Sequence, residues 1–209
     1  MSDIGEYTII LFDNNIYELK EILEISLNVI FFHRNLSNNI YEDVQSKITD
    51  ITYVKLKNET LSKEIIDLIN EMENNFTNES NLYGYNLTLS FFEKYENSKI
   101  SEIPWEKWNF ITVLNKKGEL EEKNGIKTDK STSNINKGNK VRDYIFKIID
   151  KLNDKKNCMP CVNLKDKNLI NETFEHSFKT EKIKNKEQYF SLFNYYMKNN
   201  QEDIIVINF

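Results

Sequence analysis

Both cysteines of the chain sit in one motif, Cys158-Met159-Pro160-Cys161. Two thiols at this spacing can exchange with a disulfide or bind a soft metal. Thiol exchange needs a thiolate of lowered pKa, which a helix N-terminus often supplies. This pair instead follows a helical pattern and precedes an irregular stretch. A structural zinc needs four ligands. Only His33 and His176 could complete the set, and they are far apart without paired spacing. The pair therefore reads as two reduced thiols in a loop, with a small thiol-redox protein as the alternative.

The other reactive side chains form no constellation. Glu18, Glu21 and Glu24 share one helical face, the pattern of a solvated helix side rather than of an acid–base pair. His176 lies in Phe174-Glu175-His176-Ser177, with nothing nearby that reads as its nucleophile. No Gly-rich phosphate loop occurs. No basic patch interleaves with aromatics, so nucleic acid is not an expected partner. These residues present no catalytic constellation, and no cofactor and no metal are expected.

What remains is a concentration of aromatic anchors. Ile103-Pro104-Trp105-Glu106-Lys107-Trp108 holds both tryptophans and one of two prolines. Pro104 pushes Ile103 into extended backbone, and Asn109–Leu114 then reads as a strand. Large aromatics mostly dominate cores or interfaces. Trp105 and Trp108 are therefore either a core pair under a loop or part of an interaction surface.

The elements that must position these residues follow from composition and periodicity. At 209 residues, 39% hydrophobic and 12% aromatic, the chain can bury one sizeable core. No alanine occurs, and Arg34 and Arg142 are the only arginines, which fits codon usage in an AT-rich genome. Residues 1–113 carry about −10 and residues 114–209 about +5, an asymmetry that could face an acidic partner or an anionic membrane surface; solvated loop charges are the plainer reading. No leader pattern and no apolar run of membrane-spanning length is visible, so a cytoplasmic location is expected.

Along the chain, Glu6–Phe12 reads as a strand. Asn15 and Glu18 can form a capping box for a helix whose Leu19, Leu23, Ser26, Leu27 and Ile30 keep helical spacing. Val29-Ile30-Phe31-Phe32 is apolar all round, so the helix should be buried centrally. His33-Arg34 closes it, where cations suit the helix C-terminus. Asn35–Lys47 is a polar connection with room for a short strand. Ile48–Leu56 reads as a strand, and Thr60–Phe76 as a helix burying Leu61, Ile65, Leu68, Met72 and Phe76. Tyr83–Tyr95 alternates like a strand with one buried and one wet face. Residues 115–140 read as a polar, disordered insertion. A third helix covers Lys140–Asp154, with Val141, Ile145, Ile148, Ile149 and Leu152 inward. Leu169–Phe178 fits strand or helix, Gln188–Met197 carries five aromatics, and Asp203–Phe209 reads as a last strand.

Three stretches resemble the autophagy-related protein 101 family: Leu27–Arg34 with its apolar helix closing in His-Arg, Ile51–Leu56, and Ile103–Trp108, the most specific of them. Weaker similarity runs through Lys140–Leu152, Met159-Pro160 and Ile170–Phe178. The resemblance implies a single α+β, HORMA-like domain over 1–209, a mainly antiparallel sheet backed by three helices with a rearrangeable C-terminal region. It implies a non-catalytic scaffold that pairs with and stabilises a partner HORMA domain, autophagy-related protein 13-like, and supports the kinase complex that initiates autophagosome formation. The expected places are the cytoplasm and the phagophore assembly site, with membrane association through partners. Partner contacts are expected at His33, Arg34 and Tyr144, with Trp105 and Trp108 as contact or core. A HORMA adaptor of another signalling pathway is the alternative within the fold. The family's Trp–Phe finger, used to recruit downstream factors, has no counterpart in Glu93–Ile100, where Tyr95 and Ile100 stand instead.

Overall fold

A computed structural model describes residues 4–13, 15–34, 40–79, 82–94, 100–114, 130–154, 174–199 and 203–208. Its elements are β1 (Gly5–Asp13), α1 (Ile16–Arg34), β2 (Tyr41–Gln45), β3 (Thr52–Leu56), α2 (Glu59–Asn78), β4 (Gly84–Glu93), β5 (Glu106–Leu114), α3 (Lys130–Leu152), β6 (Phe174–Ile183), α4 (Lys186–Asn199) and β7 (Ile204–Asn208). The main sheet runs β6-β4-β5-β1-β7, and β2-β3 form a separate hairpin. β4 pairs antiparallel with β5 and β6, while β1 pairs parallel with β5 and β7. With the antiparallel β2–β3 hairpin, most pairings are antiparallel. The architecture is α+β and HORMA-like.

Alternation along the strands builds two cores. Tyr7, Ile9 and Leu11 of β1, Tyr85 to Phe91 of β4 at every second residue, and Trp108 and Phe110 of β5 join α1, α2 and α3 in the main core. Each fully buried large side chain contributes about 1.5–3 kcal/mol before entropy is subtracted. α1 lies at the centre of this layer, apolar nearly all round, with Leu19 through Phe31 mostly buried. Its start departs from a capping box. Asn15 Oδ1 accepts from the Tyr17 N–H at 3.0 Å, but Glu18 takes the Asn15 side-chain amide, not its backbone N–H.

α2 is capped by Asn58, whose side chain accepts from the Leu61 N–H at 3.0 Å. It buries Leu61, Ile65, Ile69, Met72 and Phe76, with Leu68 only partly covered. β3 is shorter than the sequence indicates. Ser46 donates its N–H to Ile51 O and its Oγ accepts from the Thr49 N–H, which turns residues 46–51 into the hairpin bend. α3 begins at Lys130, well before Lys140, so the end of the polar 115–140 stretch is helical; residues 115–129 lie outside the described residues.

Ser177, Lys179 and Glu181 of β6 and Val206 of β7 are exposed on the second face of the sheet, but the part of that face around Ile10 is not wet. α4 covers it with Tyr189 and Tyr196, which join Ile10, Ile111, Val113 and Ile183 in a second core. Asn86 and Ser90, polar positions of β4, are buried there as well. The sheet is thus backed by α1–α3 on one face and by a fourth helix on the other.

Burial raises three tyrosine hydroxyls to about 12: Tyr85, Tyr189 and Tyr196. The neutral phenol is favoured in the folded state, so stability is full below the unfolded value of 10.0 and falls as pH rises toward 12. Urea unfolding across pH 8–12 should show a flat midpoint up to about pH 10 and a steep decline beyond it. Phenolate absorbance should lag behind that of the unfolded chain over the same range.

Candidate partner-binding face

One buried ion pair joins the three stretches that close the main core. Arg34, the last residue of α1, donates from Nε to Glu106 Oε2 at 2.8 Å and lies 2.7 Å from it through a terminal nitrogen. Glu106, the first residue of β5, is 0% exposed. Both terminal nitrogens of Arg34 also donate to Leu152 O at 3.2 Å, so the same guanidinium caps the end of α3. Trp108 Nε1 donates to Glu106 Oε1. The carboxylate is therefore satisfied from two sides, which a buried charge requires.

The tryptophans divide the remaining work. Trp108 is fully buried and stacks on Tyr7, its register partner in β1, at 4.5 Å. Trp105 is partly exposed. The Arg34 guanidinium sits 5.5 Å from its ring, and Phe91 and Phe174 pack around it. Tyr144 of α3 is buried and hydrogen-bonds Ser26 of α1 at 2.6 Å, while Ser26 Oγ also reaches Ile22 O. Burial holds the Tyr144 hydroxyl well above its ordinary value, so it stays neutral. Of the residues expected to contact a partner, Arg34, Tyr144 and Trp108 are interior. His33 is half-buried on the surface, its Nδ1 bonded to Val29 O at 2.8 Å.

Beside His33 a groove of about 530 Å³ opens between α1, the β2–β3 hairpin and α3. Val29 and Phe32 form one wall, Ile51 and Tyr53 another, and Ile145, Phe146 and Ile149 the third. Phe146 is 56% exposed. It falls off the Val141–Leu152 core stripe, and that displacement is a signal the sequence did contain. Asp50 and Arg142 stand at one end, 4.0 Å apart. The Asp50 side chain lies close over Gly138 of α3, where a Cβ would meet its Oδ1 at 2.7 Å. Two helices and a hairpin thus present an apolar trough held rigid from below by Arg34–Glu106 and Ser26–Tyr144.

Among the described residues no three His, Cys, Asp or Glu side chains come together to hold a metal ion. No described helix is long and apolar enough to cross a membrane. Cys158 and Cys161 lie outside the described residues, as do Tyr95 and its neighbours to 99. Ile100, which is described, is exposed and bridges to Lys94.

A family model for autophagy-related protein 101 matches residues 14–166. The chain belongs to the autophagy-related protein 101 family. Autophagy-related protein 101 of Arabidopsis thaliana is 24% identical over 163 residues, covering 70% of this chain and 75% of that protein. Membership gives the chain an autophagy-related role. The stretch matched to autophagy-related protein 101 contains Arg34, Glu106, both tryptophans and the whole groove, whereas β6, α4 and β7 lie beyond it.

Removing one partner of the buried pair strands the other charge. Arg34→Met or Glu106→Gln should each cost about 3–5 kcal/mol in urea unfolding. The double variant Arg34→Met/Glu106→Gln should lose clearly less than the sum of the singles, because neither charge is then left alone.

Proposed function

We propose that this chain is a non-enzymatic scaffold of the autophagy-initiation machinery, pairing with a partner HORMA domain of the autophagy-related protein 13 kind and supporting its kinase complex. The observation that carries the proposal is the apolar groove between α1 and α3 with Phe146 exposed on its rim. Exposed aromatics beside a preformed trough supply the anchors that dominate protein–protein affinity. Membership in the autophagy-related protein 101 family supports the pathway.

In this reading His33 and Phe146 contact the partner. Arg34, Tyr144, Trp105 and Trp108 act from beneath, fixing the helices that present the groove. The protein works in the cytoplasm and at the phagophore assembly site, and reaches membrane through its partners.

The test is affinity capture of the tagged chain from its native cells with identification by mass spectrometry. Recovery of a second HORMA protein together with a kinase is expected. Recovery of neither, from folded and abundant bait, would overturn the assignment. Phe146→Ser should leave stability within about 0.5 kcal/mol, since the side chain is largely in solvent, and lower partner recovery at least about tenfold, as loss of an anchor does. The purified partner should raise the melting temperature of the chain in proportion to the logarithm of its concentration.

A further inference from the structure

The groove is not uniformly apolar, and its charged end selects what can enter. Arg142 and Asp50 face each other there at 4.0 Å, with side chains 48% and 80% exposed. A pair this long and this wet contributes little and exchanges readily. Asp50 lies close over Gly138 of α3, and the Arg142 guanidinium also donates to Asn139 Oδ1 at 3.3 Å. Arg142 therefore stands at the mouth of an apolar trough with most of its hydrogen-bonding fork unused by these contacts. In a chain whose other basic positions, Arg34 aside, are all lysine, this residue has the one cationic side chain shaped to grip a carboxylate with two parallel bonds.

We propose that the groove takes a large apolar side chain of the partner followed closely by a carboxylate, with Ile51, Ile145 and Ile149 around the apolar group and Arg142 on the carboxylate. This rests on the reading of the face as a partner-docking surface. The trough has room for such a group: its volume is at the size of small-molecule sites, far above that of one water. On entry the ligand carboxylate replaces Asp50 as the counter-ion of Arg142. Asp50 then swings to water, at little cost for a side chain already mostly exposed. A ligand with a cation at the same position meets Arg142 directly and is disfavoured, with only Asp50 to offset the repulsion.

The determinant is charge at one position, so three probes differing only there test it without the partner: 4-phenylbutyrate, 4-phenylbutanol and 4-phenylbutylammonium, titrated into the purified full chain and followed by amide NMR. Phenylbutyrate should bind tightest and the ammonium weakest, with shifts centred on Ile51, Ile145 and Ile149. Arg142→Gln should lower phenylbutyrate affinity about threefold, to that of the alcohol or below it because Asp50 remains, and should raise that of the ammonium. Asp50→Asn should raise phenylbutyrate affinity by a similar factor and weaken the ammonium further. Both residues are exposed, so neither variant threatens the fold. Equal binding of all three probes would overturn the role of Arg142. Absence of groove shifts with every probe would overturn the site itself. Either failure is separate from the scaffold assignment, which stands or falls on what is captured from cells.

Discussion

Everything on the helical face depends on one carboxylate paired inside the protein. Glu106 is buried completely, and an unpaired charge there would be too costly for the fold to carry. Arg34 supplies the counter-charge and, with the same guanidinium, takes up the last carbonyl of α3. Trp108 closes the other side. Four requirements are met at one point: the end of α1, the end of α3, the start of β5 and the seat of the indole. A lysine could neutralise Glu106 but could not reach three oxygens with a flat fork. This accounts physically for the arginine at the helix end and for a glutamate between two tryptophans, positions that sequence inspection alone treats as separate motifs.

The groove inherits its rigidity from that point. α1 and α3 form two of its walls, and the Ser26–Tyr144 hydrogen bond ties them together part-way along their length. The hairpin forms the third wall, seated on the main core by Ile51, Tyr53 and Leu56. Lys55 pairs with Glu24 at 3.6 Å, and Glu21 accepts from the Lys47 N–H. The acidic stripe of α1, which looks like solvated surface in the sequence, ties down the hairpin. All three walls are thus anchored in the main core or tied to α1.

Periodic elements were legible in the sequence and contacts at long range were not. The α2 stripe and the buried character of α1 follow from spacing alone, and both are present. Tyr83–Tyr95 alternates as a strand should, but its second face is covered rather than wet. Asn86 and Ser90 are polar and yet buried, Asn86 beside Tyr196 of α4 rather than in water. α4 itself is obscured in the sequence: with five aromatics within ten residues, no single stripe stands out, since Phe190 and Tyr195 are exposed and Tyr189 and Tyr196 are not. The early start of α3 is masked by a run of serine, threonine, asparagine and lysine with no apolar period. Arg34 and Glu106 are 72 positions apart. No local pattern announces that a helix-ending arginine is a core residue.

The position of β1 has a kinetic consequence. The strand lies between β5 and β7, and Thr8 pairs with Ile204 nearly a full chain length away. Contacts of such separation form late, because a long loop must close before they are rewarded. Until β7 docks, one edge of β1 with its buried Ile9, Ile10 and Leu11 has open backbone hydrogen-bonding groups. Before β7 pairs, that apolar strand edge is open to any other chain, and the pairing of β7 closes it.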